Sequence, residues 1–319
     1  MNFTILHSNL TNPTLLFFLL GVFASAIKSD LKIPESIGKF LSLYLLFSIG
    51  FKGGQELAHS SFNLSILYSL IFGVLIASLI PIYAFFLLKR KLGVYNAGAV
   101  AAAYGSVSAV TFVAASTFLE IQQIHFGGHM VAVMALMEAP AIIVGVVLVR
   151  QYSNENAKTG SLKQIILHSF TNGSVLLILG SLFIGIIADS KQAEGIKPFT
   201  TDIFKGFLAL FLLEMGMITA KRFATFRKYG WFVTLFGILF PFFNGCVIAF
   251  LSSFITQEPG DRLMLAILGA SASYIAVPAA MQLAVPKADP GLYIPMALGI
   301  TFPFNISIGM PVYFMIINH

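Results

Sequence analysis

The chain is a succession of long apolar runs parted by short polar breaks. Runs of about 17 to 25 apolar residues are long enough to cross a bilayer as helices. Ten can be cut from this sequence, with approximate limits 11–27, 34–51, 64–88, 94–119, 127–150, 170–188, 200–220, 230–255, 262–284 and 291–316. They are too long and too continuously apolar for the in-out alternation of barrel strands. The pattern therefore predicts an all-α integral membrane protein with about ten spans. A secretory leader begins with positive charge, whereas the first Lys here is Lys28, so the first run counts as a span.

Two of the runs carry polar residues where a plain span would hold leucine. "SVSAVTFVAAS", from Ser106, lies over "SASYIAVPAAM", from Ser271, so that Ser106 meets Ser271 and Ser108 meets Ser273. At a near-constant offset, "FLSLYLLFSIGFKGG" around Gly50 matches "FLALFLLEMGMITAK" around Gly216, and Pro140 meets Pro303. Several matches in one order indicate duplication. Five spans is an odd number, so the second copy must enter the membrane from the opposite side, an arrangement common in secondary transporters. The expected division is 1–155 for the first repeat, 156–169 for a polar cytoplasmic linker and 170–319 for the second.

Opposed spans four and nine bring both S-x-S segments to the bilayer centre. If each helix unwinds there, second halves starting near Ala109 and Tyr274 aim N-terminal N–H groups at a shared anion site, while the first halves end in carbonyls suited to a small cation. Gly105, Ser106, Val107, Ser108, Ala270, Ser271, Ala272 and Ser273 are the candidate anion-binding residues. Glycine and alanine permit close approach, and hydroxyls both donate and accept. Pro278 suits the first turn of a new half-helix. The competing reading is an ordinary Ser/Ala packing surface with a proline kink.

Glu138 falls roughly 18 Å from either end of its span at 1.5 Å per residue. An ionisable group at that depth costs about 2.5–3.5 kcal/mol or more unless paired, protonated or bound to a cation, so a functional role is the default, cation binding being weighed against a protonated structural glutamate. Asn305 and Thr111 are candidate oxygen donors to the same sodium ion, and Thr301 is a further oxygen. Glu214 is shallow enough to snorkel and reads as structural, as does the lone Cys246. The i, i+4 pair His125 and His129 lacks a third metal ligand, and Trp231 reads as an interface anchor.

Composition and charge agree with this picture. Of 319 residues, 57% are hydrophobic and only 10% charged, against roughly 25% charged in soluble domains. The net charge of +6 sits in short gaps between runs rather than in a nucleic-acid-binding patch. Placing Lys28, Lys32, Lys89, Arg90, Lys91, Arg150, Lys158, Lys163, Lys221, Arg222, Arg227, Lys228 and Lys287 on one side leaves Lys52, Lys191, Lys197 and Arg262 on the other, with Lys39 and Lys205 inside helix starts and uncounted. The positive-inside rule then puts both termini outside. No Walker loop, H-E-x-x-H or G-x-S-x-G is present, so neither an ATP-driven pump nor a hydrolase has support.

With "GASASYIAVPAAMQLAVPKADP", "IPESIGKFLSLYLLFSIGFKGG", "YGSVSAVTFVAA", "MEAPAIIVGVV" and "FPFNISIGMPVY", the chain resembles the sodium-dependent bicarbonate transporter superfamily over essentially its whole length. The resemblance implies core and gate domains, a homotrimer in the cell membrane, and sodium-coupled uptake of bicarbonate by an elevator-like movement. It also implies sodium as the coupling ion and no other cofactor. Cyanobacterial relatives carry Asp where this chain has Glu138, which alters sodium geometry or admits proton coupling. Their longer central linker argues against control here by their PII-like partner. The alternatives are another small anion or monocarboxylate, an anion channel and, with least support, a membrane enzyme.

Overall fold

The computed structural model describes residues 13–59, 63–153, 167, 171–226 and 230–318, and all regular structure among them is helical. The linker expected over 156–169 lies outside the described residues except for 167, as do residues 1–12 and His319. In chain order the helices are α1 (Pro13–Ala26), α2 (Glu35–His59), α3 (Leu64–Gly105), α4 (Ala109–Ile121), α5 (His129–Tyr152) and α6 (Gly173–Ile187). They continue as α7 (Ser190–Lys197), α8 (Phe204–Phe226), α9 (Gly230–Leu251), α10 (Pro259–Ala270) and α11 (Ala276–Ala284). The last helical run, α12 (Pro290–Ile317), includes π-turns at Ala297–Thr301 and Asn305–Gly309.

Among the described residues, 5 helical stretches are long and apolar enough to cross a membrane, and Leu16–Ala26 and Gly173–Ile187 are shorter apolar helices. The longest stretch, Leu64–Ile121, is not one rod. Gly93 has φ 75° and ψ 166°, and the chain turns there. A Cβ on Gly105 would collide with Pro81, so the segment after Gly93 runs back along the segment before it. Glycine meets this positive φ without steric cost. The turn follows Lys89, Arg90 and Lys91, the polar gap that parts two apolar runs in the sequence.

Three helix pairs dominate the packing: α3 with α5, α1 with α8, and α2 with α6. Small residues allow each. Gly21 and Gly216 lie against the backbones of α8 and α1, and Gly50, Gly54 and Gly185 bring α2 onto α6. Backbone approach through glycine is the packing mode expected where lipid offers no hydrophobic drive between helices. Large apolar side chains such as Leu75, Phe183, Phe243 and Phe250 stand exposed on the perimeter, while Trp231 is 86% exposed at the start of α9. A surface of that kind suits contact with lipid rather than water.

Segments 97–105 and 263–270 are buried throughout, with Ala97 and Ala99–Ala103 fully covered. A helix that is apolar all round belongs in the middle of a bundle. These two segments are thus the centre of the described structure. One element has no counterpart in the sequence reading: α7, a polar helix running into a π-turn at Pro198–Asp202, precedes the seventh apolar run.

Candidate functional site

Both interruptions occur where serine replaces apolar residues. Helix stops at Gly105 and resumes at Ala109, and again stops at Ala270 and resumes at Ala276, two residues beyond the start expected near Tyr274. Ser106 (φ −83°, ψ −175°) and Ser271 (φ −87°, ψ 172°) leave their helices in nearly identical extended conformations. Ser108 caps the first restart, and Ser273, two residues before the N-cap Ile275, reaches an amide in the first turn of the second. Ser108 Oγ accepts from the Thr111 amide at 3.1 Å, and Ser273 Oγ from the Val277 amide at 3.4 Å. Serine is favoured there because its short hydroxyl satisfies an amide that has no intrahelical partner. Pro278 sits in the first turn of α11.

The two breaks are hydrogen-bonded to each other. The Ser108 amide donates to Ser271 Oγ at 3.0 Å, and the Ser273 amide donates to the Ala103 carbonyl at 2.8 Å. Ser271 Oγ also donates to the Leu268 carbonyl at 2.9 Å. Ser106, Val107, Ser108, Ser271, Ala272 and Ser273 are all buried, as are Gly105 and Ala270. A cavity of about 20 Å³ lies at this junction, bordered by Val107, Ser108, Ala109, Ser273 and Ala276 with Glu138 and Leu46. That volume holds about one water-sized group. The N-terminal ends of α4 and α11 both border it, so two positive helix ends face one space.

Glu138 projects from α5 to this cavity, and its Oε2 is shielded without a hydrogen-bond partner among the described residues. Ser106 Oγ is buried and unpartnered in the same sense. Thr111 is buried, with its amide on Ser108 Oγ. Asn305 instead has its amide nitrogen on the Ala270 carbonyl at 2.7 Å, and its oxygen accepts from the Tyr313 hydroxyl at 3.2 Å. It closes the C-terminal end of α10, where a carbonyl has lost its helical donor. Thr301 pairs with the Tyr104 hydroxyl at 2.8 Å and the Gly237 carbonyl at 2.7 Å.

His129 pairs with Asp261 at 3.5 Å, and Asp261 also accepts from the Gly127 amide at 2.7 Å. This ties α5 to α10 and assigns the histidine a bracing partner. The contribution of Asp261 was not anticipated: it is 132 positions away along the chain and has no local motif. Glu214 is buried against Gly38.

The family model described as the Na+-dependent bicarbonate transporter superfamily matches residues 13–318 of the chain. No curated protein matches it.

Proposed function

Because the chain belongs to the Na+-dependent bicarbonate transporter superfamily, we propose that it imports bicarbonate across the cell membrane by symport with sodium. The observation that carries this reading is the junction at which two helix starts, each with an amide held by a serine hydroxyl, and Glu138 border one small cavity. Helix N-termini and serine hydroxyls attract an oxyanion. Carboxylate and hydroxyl oxygens suit a hard cation such as sodium. Glu138 is the first sodium ligand in this reading, with Thr111 from the first turn of α4 and Asn305 from α12, which is bonded to the end of α10. A cavity of about 20 Å³ is smaller than a four-atom oxyanion, so binding requires the junction to widen.

The packing supports inverted repeats of five spans each. If α1 corresponds to α6 and α2 to α8, the pairs α1 with α8 and α2 with α6 exchange into one another. Gly50 and Gly216, matched in the sequence, then have equivalent tasks, one against α6 and the other against α1. These four helices form the gate in our reading, and the two broken spans with their packing partners form the core. The core slides past the gate as an elevator within a homotrimer. The orientation with both termini outside rests on the loop charges.

A second reading is proton coupling of the same carrier, favoured by the unpartnered Glu138 oxygen beside the proposed anion. Labelled bicarbonate uptake into proteoliposomes, with and without an inward sodium gradient, tests the proposal. Uptake that rises with the sodium gradient supports it. Flux indifferent to any gradient indicates an anion channel, and a response to a proton gradient alone favours the second reading. Sodium-driven acetate uptake without bicarbonate uptake would make the substrate a monocarboxylate.

A further inference from the structure

We propose that the groove between α2 and α4 is the external access route to the helix junction, and that Ile49 and Phe112 form the apolar plug that closes it. The inference rests on the transport reading and adds a route and a barrier to it. A cavity of about 400 Å³ opens at the end of the molecule that carries loop 122–128. Its wall mixes charges, with Lys52 and Glu56 from α2, Glu120 from α4 and Lys205 from α8. The basic residues of the loops place this end outside.

The two cavities share the same helix faces. On α2, Leu46 borders the small cavity, while Ile49, Gly53 and Glu56 border the large one. On α4, Ala109 borders the small cavity, while Phe112, Ser116 and Glu120 border the large one. Both sets step by three or four residues and therefore follow one side of each helix. Ala109 and Ser116 are about 10 Å apart along the axis at 1.5 Å per residue. The large cavity thus leads down the groove toward the small one, and Ile49 and Phe112 occupy the level between them.

Phe112 is fully buried, and its ring stands edge-on to Phe126 of loop 122–128 at 5.7 Å. Above this level the wall sets charged residues beside Ile124, Phe126, Val131 and Phe204; at it, Ile49 and Phe112 are apolar, and an apolar constriction stops hydrated ions by dewetting. Lys205 and Glu120 pair at 2.9 Å across the mouth, joining α8 to α4. Because α2 and α8 pack with α6 and α1 while α4 packs against α10, displacement between those groups changes the width at Phe112.

The test uses thiol labelling in a Cys246→Ala background, which removes the sole cysteine. A membrane-impermeant thiol reagent added outside intact cells should label Ser116→Cys rapidly and Ala109→Cys slowly. Adding Phe112→Ala should speed labelling of Ala109→Cys at least tenfold. Phe112→Leu, a milder change that guards against misfolding, should give a smaller increase. Unchanged labelling of Ala109→Cys in both double variants would overturn the plug, and labelling of Ser116→Cys only in inverted vesicles would overturn the external route. Neither readout needs transport. Absence of bicarbonate flux in the wild type would therefore sink the proposed function while the labelling still decided the plug.

Discussion

Ser108 caps α4, Ser273 Oγ accepts from an amide in the first turn of α11, and both border the junction, so their hydroxyls serve fold and site together. Leucine at Ser108 removes a cap worth about 1 kcal/mol, and at either position it pushes a bulky side chain toward the cavity. Ser108→Leu and Ser273→Leu should each lower bicarbonate uptake more than tenfold in proteoliposomes, with an unchanged gel-filtration profile. Uptake at the wild-type level in both would remove the junction from the transport path. Glu138→Gln keeps the shape of the side chain but loses its charge, and should raise the sodium concentration for half-maximal uptake at least tenfold. An unaltered sodium titration would return Glu138 to a structural role. Asn305 is bonded at both ends of its amide. Asn305→Ala leaves a buried carbonyl unanswered and should cost about 1–3 kcal/mol of stability, visible as a lower melting temperature in detergent.

At the level of elements, the breaks are legible in the sequence because serine, glycine and proline interrupt otherwise continuous apolar runs. The turn at Gly93 is equally legible, since Lys89, Arg90 and Lys91 cannot remain in the bilayer interior at low cost. The short helix α7 is not legible: eight mostly polar residues show too little apolar periodicity to stand out from a loop. Nor does periodicity indicate that Asn305 faces Ala270 while Glu138 faces Ser108 and Ser273. Those outcomes depend on how helices rotate against distant neighbours, which a single run does not encode. Gly50, Gly54 and Gly185 have no room for side chains between α2 and α6. Gly185→Leu should force those helices apart at about 1–3 kcal/mol, and a thermal melt unchanged from wild type would show that the pair tolerates separation.

Across the whole molecule, the elevator reading requires one set of helices to travel past another, and cross-links can arrest that travel. Lys205 and Glu120 meet across the proposed boundary. A short bifunctional thiol reagent joining Glu120→Cys to Lys205→Cys should stop uptake. A link between Lys89→Cys and Tyr152→Cys should not, because Lys89 lies over the Tyr152 ring at 4.3 Å within a single proposed domain. Equal uptake after both links would exclude relative motion at the boundary. The stitches between the breaks have a different implication. Ser108 finds its partner in Ser271, 163 positions later, and Ala103 finds its own in Ser273. During synthesis the first interruption therefore emerges long before the residues that complete it. A nascent chain halted at the midpoint holds a polar gap inside its own core, and the last spans to be inserted are the ones that seal the first.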